Sequence, residues 1–291
     1  MKSKIRKSLP FLAFFAVFCA VTLAIHLNVD KLFLCFEEWG WFSSEVEINA
    51  CQEPATVKTS FEALRNDPRV SIDRSLMLVN TEYTLPDGFE PQISEYKDTD
   101  VFMSSCMLDA YASLSAAVAE QFDQKLYVSS DLRSAEEQAA LYLEDPLTAT
   151  LPGASEHQTG LALDVYVAYF AGDGFLKSPA GRFVNAECWK YGFIIRYPSF
   201  GEDVTGIRFE PWHIRYVGLP HAKIIYNNRL TLEEYVLSME IGKWYKADGY
   251  LYCRQALTAD GKLSLPESFE SCVISPDNTG CYIVTVKNAA E

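Results

Sequence analysis

Two short segments carry the side chains that could do chemistry together. Residues 155–164 read SEHQTGLALD and hold one histidine and two carboxylates, and residues 210–218 read EPWHIRYVG and hold a second histidine after a glutamate. The whole chain has four histidines. Two imidazoles and one carboxylate can bind a catalytic zinc ion and leave its fourth position for water, and a further carboxylate can take the proton of that water. This inventory predicts a metal-dependent hydrolytic site.

Both segments resemble motifs of the zinc D-alanyl-D-alanine carboxypeptidases of the VanY type, which are relatives of the L,D-carboxypeptidases and of VanX-type dipeptidases. The resemblance covers about residues 78–235. It implies that His157, Asp164 and His213 bind Zn²⁺ and that Glu210 is the catalytic base. The base would take a proton from water and return it to the leaving amine.

The backbone must turn twice for these side chains to face one ion. Gly160 lies between the two expected ligands of the first segment and permits such a turn. In a regular strand, residues 210 and 213 would point to opposite faces. We therefore expect Pro211-Trp212 to interrupt the extended backbone and to form a turn or bulge that leads into a strand.

The family resemblance also assigns substrate contacts. Arg133 would polarise the scissile carbonyl, with a helix-entry ion pair as the alternative reading. Gln138 and Ser155 would hydrogen-bond the carbonyl and carboxylate ends of the peptide. Trp212 would either line the cleft or pack in the core. The chain has Asp131-Leu132 where the family has Gly-Tyr. The resemblance therefore does not predict the shape of the site next to Arg133.

The resemblance implies a zinc carboxypeptidase that removes the terminal D-Ala from peptidoglycan stem pentapeptides and thereby contributes to glycopeptide (vancomycin) resistance. An L,D-carboxypeptidase acting on the tetrapeptide stem is built on the same motifs and is the first alternative. A non-catalytic, zinc-stabilised protein that binds or senses the cell wall is the second, and the presence of Glu210 argues against it. The sequence has no glycine-rich phosphate loop, no Gly-x-Ser-x-Gly and no HExxH motif.

Charge excludes one class of partner. The formal net charge is −14, although the first residues are basic. An acidic surface argues against binding nucleic acid by charge attraction. It does not argue against a small peptide that ends in D-Ala-D-Ala.

The first residues predict a membrane anchor. Four basic residues precede an uncharged apolar run, Leu9–Leu27, and a helix of that length at about 1.5 Å per residue nearly spans a ~30 Å hydrocarbon core. Basic residues before the run and acidic residues after it predict a single-pass protein with a cytoplasmic N-terminus and an extracellular catalytic domain. A cleaved secretory signal is the alternative.

The remaining pattern predicts an α+β fold, with helices packed on a mainly antiparallel sheet that carries the zinc site. We expect residues 1–28 to be the tail and anchor, 29–74 a juxtamembrane lead-in, 75–240 the catalytic domain and 241–291 a small β appendage. Apolar periodicity predicts the following elements: strands at 75–80, 126–129, 163–167 and 192–197, and helices at 105–122, 134–144, 179–191, 220–226 and 232–240.

Three cysteines lie in the last forty residues. Cys272 and Cys281 flank a turn-forming sequence, Pro276-Asp277-Asn278-Thr279-Gly280, so a hairpin could bring them within disulfide distance. Cys253 competes as a partner, and free thiols remain an alternative. The pairing cannot be deduced from spacing alone.

Overall fold

The computed structural model describes residues 17–288, except residues 20, 26, 147 and 148. The chain divides into two compact units, Met1–Phe42 and Ser43–Glu291. The strands are β1 (Asn49–Ala50), β2 (Thr56–Ser60), β3 (Val70–Ile72), β4 (Ile93–Glu95), β5 (Phe102–Ser104), β6 (Tyr127–Ser130), β7 (Ala162–Tyr166), β8 (Phe193–Ile195), β9 (His213–Tyr216), β10 (Trp244–Ala247), β11 (Tyr250–Gln255), β12 (Lys262–Pro266), β13 (Ser271–Pro276) and β14 (Tyr282–Lys287). The helices are α1 (Val17–Ile25), α2 (Val29–Glu38), α3 (Phe61–Asn66), α4 (Leu108–Phe122), α5 (Ala135–Glu144), α6 (Pro179–Glu187), α7 (Glu202–Thr205), α8 (His221–Asn227) and α9 (Leu232–Ser238).

A four-stranded antiparallel sheet in the order β6-β7-β9-β8 forms the middle of the larger unit. Successive side chains of a strand point to opposite faces. Leu163 and Val165 of β7 and Ile214 of β9 therefore enter one apolar core, which helices α4 and α6 cover. The intervening residues Asp164 and His213 lie on the other face. The α+β fold with helices on an antiparallel sheet is confirmed.

Local sequence explains why the helices begin where they do. Ser134 and Thr231 each accept a hydrogen bond from the backbone three residues later, and Glu137 and Glu234 return the contact, so α5 and α9 both start with a capping box. Pro179 occupies the first turn of α6, where its missing N–H costs nothing. These helices match the predicted ones.

The predicted strand at residues 75–80 is wrong. This segment is buried, but it forms no ladder with a neighbouring strand. Its backbone forms hydrogen bonds with a side chain and with a turn: Leu76 N–H donates to Ser275 Oγ, and Leu78 N–H donates to the carbonyl of Asp277. The continuous apolar run from Leu76 to Val79 predicted burial correctly, but it could not distinguish a strand from an extended segment bound by side chains and turns.

A second sheet contains the C-terminal strands, in the order β1-β10-β11-β14-β13-β3. One face packs against α8 and α9 through residues such as Tyr252 and Ile283. The other face packs on α3 and on a two-stranded ribbon of β2 and β12. The lead-in region thus supplies β1, β2 and β3 to this assembly, and the C-terminal strands share their core with the catalytic domain. The domain boundaries stay predictions.

The first unit contains the predicted anchor. Its basic leader and much of the apolar run lie outside the described residues. In the part that the structure describes, no single helix is long and apolar enough to cross a membrane. The pair α1 and α2, which meet at a bend of 66°, meets the criteria of length and composition only when both helices are taken together.

The proposed disulfide is not formed. Strands β13 and β14 do make the expected hairpin, but the register places Cys272 opposite Val286, whereas Cys281 lies beside the turn. The two thiols are therefore at different ends of the hairpin, and both are free. Cys253 is also free and buried.

Candidate metal centre and active site

The first segment is folded by a short helix and a glycine. Glu156–Thr159 form a 3-10 helix that ends at Gly160, whose φ is +69°. A Cβ atom at Gly160 would lie 2.4 Å from Ile93 Cδ1 and 3.0 Å from the backbone nitrogen of Ser104, so the position needs glycine for space as well as for conformation. The turn sends the chain directly into β7.

Strand pairing brings the two segments together. Asp164 of β7 and His213 of β9 are direct cross-strand partners on the same face. His157 reaches them from the 3-10 helix, with its Nε2 atom 3.5 Å from Asp164 Oδ2. His213 Nδ1 is 3.0 Å from Asp164 Oδ1. One ligand atom from each of these three residues lies within 4.8 Å of the others.

Glu210 faces the same site because the chain turns between it and His213. The backbone N–H of His213 donates to the carbonyl of Glu210 at 3.1 Å, which closes a turn over Pro211-Trp212 as predicted. Glu210 Oε2 then lies 3.7 Å from His213 Nδ1. Asn185 of α6, which sequence reasoning missed, holds this turn by donating to the carbonyl of Pro211 at 2.9 Å.

The donor set fits a zinc ion. His157 Nδ1 is 2.8 Å from the carbonyl oxygen of Asp131. A carbonyl only accepts, so the proton sits on Nδ1 and Nε2 is left bare toward Asp164. Asp164 Oδ1 is buried without a hydrogen-bond partner in the described part of the chain. An unsatisfied buried carboxylate oxygen between two imidazoles is what a cation would bind.

The carboxylates around His213 make this part of the site negative, which favours a bound cation. Burial opposes the charged form of Asp164, but the imidazoles of His157 and His213 outweigh it and lower the pKa of Asp164. Burial likewise opposes protonation of His213, but Asp164 and Glu156 raise the pKa of His213 to about 9. Burial raises the pKa of Glu210. A carboxylate with a raised pKa is a better proton acceptor for general base catalysis.

Arg133 lines the same cavity as the histidines, and its backbone N–H donates to the carbonyl of His157 at 3.2 Å. Its guanidinium donates to Gln138 Oε1 and to Ser130 Oγ, both at 2.8 Å. The Gln138 amide in turn donates to the carbonyl of Thr150 at 2.7 Å. Gln138 therefore links Arg133 to Thr150. The helix-entry ion pair that was the alternative for Arg133 is absent among these contacts.

These side chains surround a cavity of about 160 Å³. Ser155 and Trp212 lie in its wall, so the structure brings together every residue that the sequence nominated. Trp212 also packs on the core and lies under the guanidinium of Arg208 at 5.2 Å. The lining residues are Arg133, Gln138, Ala149, Thr150, Ser155, Glu156, His157, Asp164, Tyr197, Ile207, Glu210, Trp212 and His213.

Tyr197 is a further lining residue that sequence reasoning missed. Its ring lies 4.9 Å from the His213 ring, centroid to centroid, and its backbone carbonyl accepts from the N–H of Glu210 at 3.0 Å. Tyr197 lies two residues after β8, so the signal in the sequence was its place at the end of the strand predicted at residues 192–197. Asp131 was noted only as a departure from the family motif. Its carboxylate accepts from the Phe102 N–H at 2.6 Å and fixes this wall.

Known proteins are similar to this chain in sequence. The sequence profile of VanY, described as D-alanyl-D-alanine carboxypeptidase, matches residues 101–219. A D-alanyl-D-alanine carboxypeptidase of Enterococcus faecium is 35% identical over 179 residues, which cover 56% of this chain and 57% of the relative. The chain thus spans little more than half of that protein. The bifunctional D-Ala-D-Ala dipeptidase and carboxypeptidase VanXYC of Enterococcus gallinarum is 35% identical, over 55% of this chain and 93% of the relative.

Solved structures with a similar fold belong to the same kinds of protein as these sequence relatives. A D,D-dipeptidase, VanXYg, in complex with a D-Ala-D-Ala phosphinate analogue matches with a TM-score of 0.60 and 27% identity, over 81% of this chain and 99% of that chain. A VanY D,D-pentapeptidase in complex with Zn(II) matches with a TM-score of 0.50 and 29% identity, over 56% and 98%. The LD-carboxypeptidase LdcB matches with a TM-score of 0.51 and 33% identity, over 56% and 86%. On fold, site and sequence, the chain belongs to the VanY-type D-alanyl-D-alanine carboxypeptidase family.

Proposed function

We propose that this protein is a zinc-dependent D,D-carboxypeptidase that removes the C-terminal D-Ala from peptidoglycan stem pentapeptides. The observation that carries the proposal is that His157, Asp164, His213 and Glu210 line one small cavity together with Arg133. Three potential ligands alone would fit a structural site. The additional carboxylate and guanidinium are what hydrolysis requires.

Each side chain has a distinct role. His157, Asp164 and His213 would hold the zinc ion, which supplies Lewis acidity and lowers the pKa of water to about 7 when it is bound. Glu210 takes a proton from the attacking water and returns it to the amine of the leaving D-Ala. Arg133, held by Gln138 and Ser130, donates to the oxygen that becomes negative. Ser155 and Gln138 line the space for the terminal residue of the peptide.

Cleavage of defined stem peptides tests the proposal. The purified full-length protein, with zinc, is incubated with a pentapeptide that ends in D-Ala-D-Ala and separately with the tetrapeptide product. Loss of one alanine from the pentapeptide alone, measured by mass spectrometry, is the expected result. If neither peptide is cleaved by a protein that holds one zinc, the proposed activity is wrong.

An L,D-carboxypeptidase is the second candidate, because LdcB has 33% identity over 86% of its length. The two activities differ in the configuration of the residue before the scissile bond. Cleavage of the tetrapeptide but not the pentapeptide would identify this alternative. The other alternative, a zinc-stabilised protein that binds or senses the cell wall without catalysis, receives no support from a site in which Glu210 is retained.

We further propose that the protein is anchored by its first 28 residues, with the catalytic domain outside the cell. Trimming stem peptides there would remove the D-Ala-D-Ala target of glycopeptide antibiotics, and this is how the protein would contribute to vancomycin resistance. Protease added to intact cells should then digest the catalytic domain and spare the N-terminus. A soluble secreted product that begins near Asn28 would show that the leader is cleaved instead.

A further inference from the structure

A buried group of four charges lies behind the proposed metal site. It comprises Glu156, Arg196, Arg215 and Glu233, each at most 8% exposed in its side chain. Arg196 donates to Glu156 Oε1 at 2.7 Å and to both oxygens of Glu233. Arg215 also donates to Glu156 Oε1. Two positive and two negative charges leave the group neutral, as burial requires.

The two oxygens of Glu156 have different surroundings. Oε1 accepts from both arginines. Oε2 has no hydrogen-bond partner in the described chain, and neither has Nε2 of His213, although both atoms are fully buried. These two atoms lie 3.9 Å apart. Oε1 alone makes the contacts of Glu156 with the two arginines. The position of Oε2 next to the His213 imidazole therefore needs a separate explanation.

The other nitrogen of the same ring faces the proposed ligands. Nδ1 of His213 is 3.0 Å from Asp164 Oδ1 and 3.7 Å from Glu210 Oε2. A neutral imidazole carries one proton, so a hydrogen bond at Nε2 leaves Nδ1 bare. Histidines that bind a metal ordinarily donate their second N–H to a carboxylate or carbonyl, which fixes the ring and its tautomer. The carbonyl of Asp131 does this for His157, but no equivalent has been assigned to His213.

We infer that Glu156 is a positioning residue for His213: when zinc is bound, the 3.9 Å gap between Glu156 Oε2 and His213 Nε2 closes to hydrogen-bond distance, so that Oε2 accepts the Nε2 proton and Nδ1 is presented to the metal. The inference rests on the proposed zinc site. The arginines hold the carboxylate in place, and Arg215 is itself fixed by donating to the carbonyls of Ser75 and Met77 at 3.0 and 2.7 Å. Glu156 therefore acts through His213 and does not touch the substrate.

Glu156→Gln in the full-length protein tests this, with Glu233→Gln as the matched control. Both substitutions remove one negative charge from the same buried group, but Glu233 meets Arg196 and Asn80. Chelator competition measures the zinc dissociation constant, and thermal unfolding measures stability. We expect both variants to lose stability, and only Glu156→Gln to weaken zinc binding, by about 10–100-fold. Equal zinc affinity in the two variants would overturn the inference.

A measurement on the unsubstituted protein covers the case in which Glu156→Gln does not fold. Nitrogen-15 NMR of the zinc-loaded protein should show His213 with its proton on Nε2 and the metal on Nδ1. The reverse tautomer would overturn the inference. Because neither readout uses substrate turnover, these outcomes are distinct from failure of the proposed activity. A protein that binds zinc normally but cleaves no peptide would contradict the activity alone.

Discussion

At the scale of single residues, the site separates atoms that would bind a metal from one that would move a proton. His157, Asp164 and His213 direct one atom each toward a common point. Glu210 lies beside them, 3.7 Å from the nearest imidazole nitrogen, in a setting where burial raises its pKa. This separation lets substitutions distinguish ligand from base.

Alanine at His157, Asp164 or His213 should abolish both zinc binding and hydrolysis. Each change removes one of three proposed protein ligands, and a site with two ligands holds zinc far more weakly. Atomic absorption after dialysis measures the bound metal. Retention of one zinc per chain by His213→Ala would contradict the ligand assignment.

Glu210→Ala should keep zinc but lose activity by a factor of about 10² or more, because the proton acceptor is lost while the ligands remain. Zinc content and kcat on the pentapeptide are measured on the same sample. Asp173→Ala serves as a control, since that carboxylate is exposed and paired with Arg208 at the surface. Near-normal turnover by Glu210→Ala would exclude its role as base.

At the scale of elements, the sequence predicted those that build the site. Helix α4 has apolar residues at helical spacing, helices α5 and α6 have local start signals, and β7 and β9 overlap the two site segments, so short-range patterns were sufficient. The strands β1 and β3 were missed because they have two and three residues and pair with partners near the other end of the chain. Tyr197 and Asn185 were missed because each acts through a tertiary contact that leaves no motif.

The turn between β13 and β14 binds the buried segment around residues 75–80, which was predicted to be a strand. Asn278 Nδ2 lies 3.0–3.1 Å from the carbonyls of Leu78, Tyr83 and Thr84. Its φ is +65°, so Asn278→Gly removes the side chain without adding strain. We expect a loss of about 1–3 kcal/mol in the free energy of unfolding, because two part-buried carbonyls and one exposed carbonyl lose their donor.

Urea denaturation of the full-length protein measures this loss. Asp98→Gly is the control, because Asp98 also has a positive φ, 52°, but lies exposed in the turn between β4 and β5. A loss no larger than that of the control would mean that Asn278 does not hold this segment.

At the scale of the whole molecule, His221 joins the catalytic domain to the C-terminal sheet. Its Nδ1 is 2.6 Å from Tyr235 Oη and its Nε2 2.8 Å from Thr285 Oγ1, and the Tyr252 ring packs edge-on against it. Among the residues that the structure describes no charged group compensates, so burial lowers the pKa of His221 to about 3. The folded protein thus keeps His221 neutral at pH values where the unfolded chain protonates it.

This difference makes stability depend on pH. Between about pH 6.5 and pH 3 the unfolded state binds the additional proton, so acidification favours unfolding, by up to about 1.4 kcal/mol per pH unit from this group. His221→Gln cannot titrate. We expect the free energy of unfolding to fall less between pH 7 and pH 5 in His221→Gln than in the unsubstituted protein. Parallel pH profiles for the two proteins would contradict this.

The second sheet also affects folding, because it pairs strands that are far apart in the chain. Val70 pairs with Cys272 and Asn49 with Lys246, so strands from both ends of the larger unit lie in one sheet. Such distant pairings form slowly, and a strand that waits for its partner presents an edge on which other chains can add. A chain that stops at residue 240 should therefore aggregate and not yield a shorter enzyme. If the domain is exported as we propose, the residues of the candidate site emerge before the strands that complete this sheet, and we expect activity only after the last strand has emerged.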